Sequence, residues 1–302
     1  MLDIFRMPCN DREEKGLDPQ RMRRFRNVIL GRKGITMKAG FIGFITPEMG
    51  DPYKELEKYA QIGYTGMESG DLLLQGDVKE NVKRVRDMGL IPLTVHCPDA
   101  DADAGELIRK AQAVGVSYVV NYALCAAMYR FNFRETDPDY DEFRRELEKM
   151  DKLAGELKKE GIQLLFHNHD VDFTKCYKGV PAMYLMSALT ENLNFEVDTG
   201  WVTYAGHDPQ VVLRDLGERV SLIHVKDFVC GEVPRKGTYG SHTMPRFTTP
   251  GTGKLNLRGV LQTASEMGIP YAIVDQDFQY HLTELETLTA AYLNMKETGF
   301  VD

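Results

Sequence analysis

No apolar run in this 302-residue chain approaches the roughly 18 to 20 residues needed to cross a bilayer, and no apolar signal-peptide core stands at its start. A membrane span is not expected, and the chain reads as cytoplasmic. The five cysteines, Cys9, Cys97, Cys125, Cys176 and Cys230, are odd in number, widely spaced and form no CxxC pair. That argues against a disulfide framework or a thiolate zinc site and for reduced thiols. Surplus positive charge is also missing, with 37 Lys/Arg against 45 Asp/Glu and a net charge of −8, which disfavours nucleic acid and anionic membrane surfaces as partners. The exception is residues 1–36, where nine Lys/Arg face five acids, leaving −12 on the remainder. Transit peptides are poor in acids, so this segment reads instead as an N-terminal basic extension. It is either an arm packed on the body or on a neighbouring subunit, or a stretch ahead of a start at Met37.

What the sequence does contain, from Lys38 onward, is an alternation of short β-like runs with helical patterns. Asp51-Pro52 caps a helix whose Leu56, Tyr59 and Ala60 share a face, and Gly63 ends it. Gly89 and Gly115 end the next two helices, so the three glycines recur every 26 residues. Further helices are expected over 139–160, 180–189, 209–216, 257–267 and 282–296, with residues 228–255 as a long loop rich in Gly, Pro and Thr. Eight strands and eight helices in strict alternation require a parallel sheet and match an α/β fold of the (β/α)8 TIM barrel kind, one domain over 37–302. A doubly wound sheet is the alternative, but no GxGxxG follows the first strand.

Seven strands end, or nearly end, on a polar or ionisable residue: Glu68, His96, Asn121, His167, Asp198, His224 and Asp275. In a parallel barrel these ends meet at one face, where active sites are built. One such residue is easily structural, whereas seven at matching positions point to a shared site. FHNHDVDF (166–173) sets His167 and His169 on the same side of an extended chain. VDTGW (197–201) ends a strand on Asp198 with Trp201 beyond it, and IHVKD (223–227) carries His224, Lys226 and Asp227. His167, Asp198, His224 and Asp275 form a mixed N/O set suited to one divalent metal ion, Mn²⁺, Co²⁺, Zn²⁺ or Mg²⁺.

With these segments, and with PGTGKLN and IVDQD, the chain resembles the xylose-isomerase-like TIM barrels over about residues 38–298. These include sugar phosphate isomerases/epimerases, inosose dehydratase and ketose 3-epimerases, with endonuclease IV more distant. The resemblance implies one divalent metal held by the ends of strands five to eight, here His167, Asp198, His224 and Asp275. Epimerases of the family use Glu on strands five and eight, where this chain has His167 and Asp275. Its HNH pattern is therefore more similar to the dehydratase-related branch, and Gln276 is positioned to supplement the shorter Asp275.

The expected chemistry is proton abstraction next to a carbonyl of a small sugar or keto-polyol through a metal-stabilised enediolate. His169 and Glu68 are the acid/base candidates, Lys226 a holder of the developing oxyanion, and His96, Asn121, Trp201 and Gln276 are substrate-binding candidates. β-Elimination from an inosose or 3-keto-glycoside is the alternative, and a non-catalytic sugar-binding or partner subunit a further one. A nuclease is disfavoured by the −12 body. PGTGKLN is either a phosphate loop or a plain turn, with the turn preferred, and His207, His242 and His281 have no assigned role. The expected partner is a small-molecule carbohydrate, without nucleic acid or membrane, and self-association into a homo-oligomer is left open.

Overall fold

Nine short parallel strand segments form a single sheet in this computed structural model, which describes residues 34–43, 45, 50–122, 139–237 and 240–302. They are β1 (Lys38–Phe41), β2 (Gly66–Met67), β3 (Ile91–Pro92), β4 (Thr94–His96), β5 (Tyr118–Asn121), β6 (Gln163–His167), β9 (Asn194–Asp198), β10 (Val220–Val225) and β13 (Tyr271–Val274). Two small hairpins outside the sheet supply β7 (Cys176–Tyr177) with β8 (Val180–Pro181), and β11 (Asp227–Gly237) with β12 (Gly240–Thr248). Pairing runs β3-β2-β1-β13-β10-β9-β6-β5-β4. Because β3 and β4 are two pieces of one strand either side of Leu93, that order joins end to end into a TIM barrel.

Helices lie between the strands: α1 (Pro52–Ile62), α2 (Val78–Asp87), α3 (Ala104–Val114), α4 (Tyr140–Lys159), α5 (Val171–Thr174), α6 (Ala182–Leu189), α7 (Thr199–Tyr204), α8 (Pro209–Leu216), α9 (Leu257–Met267) and α10 (Glu284–Glu297). The expected boundaries of α8 and α9 hold to the residue, and those of the longer helices to within two. Their ends follow local chemistry. Asp51, Asp77, Asp103, Asp139 and Asp208 each accept a backbone N–H from the first turn of the helix they precede. Gly63, Gly89 and Gly115 all take positive φ values just past α1, α2 and α3, which explains their regular recurrence.

The core has two layers. Outward-facing strand residues such as Phe41, Val119, Phe166, Phe195, Val197 and Val274 pack with the helices in one continuous apolar cluster. Inside the ring, Leu93, Val120, Leu165, Leu222 and Ile273 form a separate apolar cluster. On β6, β10 and β13 the next inward position toward the C-terminal end is His167, His224 and Asp275, so this cluster is the floor of the site.

The expected long loop at 228–255 is a correction. Most of it is the antiparallel ribbon β11–β12. Gly231 sits where the register shifts between Val229 and Glu232, and Pro234 and Pro245 are accommodated in a two-stranded ribbon with no further strand beside it, so breaker residues signalled a bulge and edges rather than a loop. Residues 1–33 of the expected basic extension lie outside the described residues. From Ile35 the chain is bonded to α9, through Ile35 N to Ser265 O (3.1 Å) and Ser265 Oγ to Ile35 O (2.6 Å).

Candidate metal centre

The sequence VDTGW is explained almost residue by residue. Asp198 ends β9 and caps α7, its Oδ1 accepting the Trp201 N–H at 2.9 Å, which leaves Oδ2 facing the barrel interior. Asn168 clamps the Asp198 backbone from both sides, with Asp198 N donating to Asn168 Oδ1 (3.0 Å) and Asn168 Nδ2 to Asp198 O (3.3 Å). Thr199 Oγ1 ties this turn to β10 by donating to His224 O at 2.8 Å. At Gly200 a Cβ would stand 2.4 Å from Lys226 O, so only glycine permits the close approach of α7 to β10. Trp201 is fully buried against Met244 and Phe247, with Lys226 Nζ 5.1 Å from its ring centre.

Strand ends from opposite parts of the chain meet beside this turn. Donor atoms of His167, Asp198, His224 and Asp275 all lie within 4.8 Å of one another, and a second such group is Glu68, Glu196 and His224. His224 Nδ1 is 3.1 Å from Asp275 Oδ2, while Nε2 contacts Glu68 Oε2 and lies 3.2 Å from Glu196 Oε2. His167 Nε2 is 3.9 Å from Asp198 Oδ2, and its Nδ1 is 3.1 Å from Glu196 Oε2. Lys226 Nζ is 3.1 Å from Asp198 Oδ2 and 2.8 Å from both Asp275 Oδ2 and Asp277 Oδ2.

The electrostatics follow from packing five carboxyl groups around one lysine and two histidines. Burial opposes the charge on Lys226, but Asp198, Asp275 and Asp277 together hold its pKa well above the ordinary lysine value. Burial would raise Asp275, yet Lys226 and His224 keep it below the usual carboxylate range. Burial pushes Asp198 up to about 6 against the pull of Lys226, and burial with neighbouring Glu68 pushes Glu196 up to about 8. His167 is held well below its ordinary value by burial and by the nearby His224, His169 and Lys226. At His224 burial is outweighed by Glu196 and Glu68, and its pKa is raised instead.

These residues fit a divalent cation. Two imidazoles and two carboxylates converge with acidic excess, and Asp198 Oδ2 is a buried acceptor without a hydrogen-bond partner, although Lys226 is near.

Other expected site residues are placed less centrally. His169 is fixed by its backbone N–H to Asp172 Oδ2 (2.7 Å), and its ring lies 5.1 Å from that of His167 and 5.7 Å from that of Trp201. Glu68 meets the Nε2 side of His224, the side opposite Asp275. His96 stacks on Tyr122 at 5.4 Å, and Tyr122 in turn meets His167 at 5.2 Å, so His96 is one ring removed from the quartet. Asn121 is buried and donates to Cys97 O at 3.0 Å. Gln276 directs its amide nitrogen to Phe278 O and Gln279 Oε1, within its own turn.

Two residues of the cluster are not apparent from strand ends. Glu196 stands two positions before Asp198 and shares its face of β9, a signal present in the alternation of NFEVD. Asp277 repeats that spacing after Asp275, in a loop where no period marks it. Asp227, conspicuous in IHVKD, is structural. Its carboxylate accepts backbone N–H groups from Phe228 (2.8 Å), Gly251 (3.0 Å), Gly253 (2.8 Å) and Leu255 (2.9 Å). The N–H groups of PGTGKLN that a phosphate would need are thus turned onto Asp227, as in a turn.

Comparison with known proteins agrees with this architecture. A family model for xylose isomerase-like TIM barrels matches residues 56–276. An inosose dehydratase of Clostridium tetani (strain Massachusetts / E88) is 26% identical over 136 residues, 43% of this chain and 44% of that protein, so the match spans less than half of its length. Among solved structures, a sugar phosphate isomerase/epimerase from Parabacteroides distasonis ATCC 8503 superposes with a TM-score of 0.64 at 20% identity, covering 89% of this chain and 97% of its own. A D-psicose 3-epimerase from Clostridium cellulolyticum H10 gives 0.61 at 12% identity, covering 87% and 99%. At these identities the solved structures speak for the fold alone.

Proposed function

The chain belongs to the xylose isomerase-like TIM barrel family, and on that footing we propose that it is a divalent-metal-dependent enzyme of the sugar isomerase/epimerase type. Its reaction is removal of a proton next to a carbonyl of a small sugar or keto-polyol. The observation that carries this reading is the convergence of His167, Asp198, His224 and Asp275 within 4.8 Å at the C-terminal end of the strands. A divalent cation held by these four would supply Lewis-acid polarisation of a substrate carbonyl and an adjacent hydroxyl.

The chain's own groups do the rest. His169, beside His167 and Trp201, takes and returns the proton, since imidazole exchanges protons near neutrality. Glu68, the other acid/base candidate, contacts His224 Nε2, and together with Glu196 it raises the pKa of that ring against burial. Lys226, ion-paired to Asp198, Asp275 and Asp277, offers an ammonium to an oxygen that gains negative charge. Trp201 and Phe247 exclude water from that ammonium. Of the other substrate-binding candidates, His96 is the one whose ring stacks toward the quartet, through Tyr122, while Asn121 and Gln276 spend their amide nitrogens on Cys97 O and on the turn at 276–279.

A second reading, β-elimination from an inosose or 3-keto-glycoside, is favoured by His167 at a position where family epimerases carry a carboxylate, and by the match to an inosose dehydratase. Incubation of the Mn²⁺- or Co²⁺-loaded protein with ketoses, inososes and 3-keto-glycosides in D₂O separates the two. Deuterium at the carbon next to the carbonyl with the hydroxyls retained supports isomerisation or epimerisation, and loss of a β-substituent supports the lyase. Absence of both across the panel contradicts enzymatic proton abstraction and leaves a sugar-binding subunit.

A further inference from the structure

The geometry points to Glu196 as a positioning residue: one buried carboxyl oxygen stands behind both histidines of the candidate metal quartet and orients their rings. The inference rests on the metal reading above and deepens it.

Glu196 is fully buried on β9, in register with Leu222 of β10 and with His167 of β6, so it lies at the level where the apolar floor meets the polar rim. A carboxyl group placed there is costly unless it is paired. Its Oε2 lies 3.1 Å from His167 Nδ1 and 3.2 Å from His224 Nε2. In each ring the other nitrogen faces the opposite way, His167 Nε2 toward Asp198 and His224 Nδ1 toward Asp275.

An imidazole that binds a cation must offer a lone pair on one nitrogen and hold its proton on the other. A carboxylate behind a ligand histidine enforces that choice and fixes the plane of the ring. Glu196 stands behind two rings at once, beside Nδ1 of His167 and Nε2 of His224, where Glu68 joins it. Nε2 of His167 and Nδ1 of His224 are left toward Asp198 and Asp275, and these are the nitrogens that a cation held by the quartet would take. Asn168 supports the arrangement, since it fixes the backbone of Asp198 two residues along the same strand.

The test compares wild type with Glu196→Leu, which removes the acceptor, and Glu196→Gln, which keeps an acceptor oxygen without the charge. Co²⁺ binding is followed by its visible absorption, with circular dichroism as the check on folding. The expected result is a loss of Co²⁺ affinity of about 10- to 100-fold in Glu196→Leu and recovery of most of it in Glu196→Gln. Wild-type affinity in a folded Glu196→Leu overturns the inference, and so does a folded Glu196→Gln that binds no better than Glu196→Leu. If Glu196→Leu does not fold, Glu196→Asp, which withdraws the oxygen by one methylene, decides: a lowered Co²⁺ affinity supports the inference and wild-type affinity overturns it. Uptake by wild type that is unchanged in the variants overturns the role of Glu196 alone, whereas no uptake by wild type overturns the metal reading and the inference with it.

Discussion

His224 carries a carboxylate on each ring nitrogen, and its neighbours show what is legible from residues alone and what is not. A polar residue ending a barrel strand is conspicuous in sequence, so His167, Asp198, His224 and Asp275 all stand out there. Glu196 does not, because it lies inside a strand, and only the inward direction of every second side chain makes it a partner of both rings. Lys226 is marked by its position in IHVKD, but its ion pairs with Asp198 and Asp277 depend on other turns of the barrel folding beside it. At this scale a cysteine also makes a prediction. Burial pushes the Cys97 thiol up to about 12, and its sulfur donates to Asp99 O. Only the thiolate reacts with iodoacetamide, and a raised pKa keeps that form scarce until strongly alkaline pH. Peptide mapping after native alkylation at pH 8 should therefore show exposed Cys230 modified and Cys97 intact, with Cys97 becoming reactive only after denaturation. Rapid native labelling of Cys97 would contradict its place in the core.

Among the elements, those specified by local chemistry are legible to within a residue or two. Aspartate caps at the starts of helices and positive-φ glycines at their ends act within one turn, so they survive without tertiary context. The third strand reads as one run in sequence and is split at Leu93 in the barrel, because β3 pairs with β2 and β4 with β5. The β11–β12 ribbon is hidden for a related reason: its pairing reaches across the chain, and its glycines and prolines resemble those of a loop. The segment that follows the ribbon is organised by Asp227. Asp227→Ala would leave four backbone N–H groups without their acceptor, each worth about 1–3 kcal/mol if left buried and unpaired, although such losses do not simply add. The expected outcome is a folded barrel with a lowered urea midpoint and faster proteolytic cleavage within 249–255. An unchanged midpoint and cleavage pattern would show that the turn holds without it.

For the molecule as a whole, ring closure is what converts separated strand ends into one site. Residues as distant in sequence as Glu68 and His224 touch because β1 and β13 lie between β2 and β10 in the sheet, and the apolar floor of Leu93, Val120, Leu165, Leu222 and Ile273 keeps the polar groups at one end. No helix among the described residues is long and apolar enough to cross a membrane. The acidic balance has a local counterpart in the five carboxyl groups Glu68, Glu196, Asp198, Asp275 and Asp277 gathered around Lys226 and two histidines, an arrangement that favours added positive charge. Whether that charge is a bound metal is decided by the metal content of the purified protein after equilibration with Mn²⁺ or Co²⁺ and removal of excess, measured by elemental mass spectrometry. We expect about one ion per wild-type chain and close to none in His224→Ala and Asp198→Asn, with circular dichroism showing all three folded. Wild-type protein without bound metal, or variants that retain it in full, would refute the quartet as a metal centre.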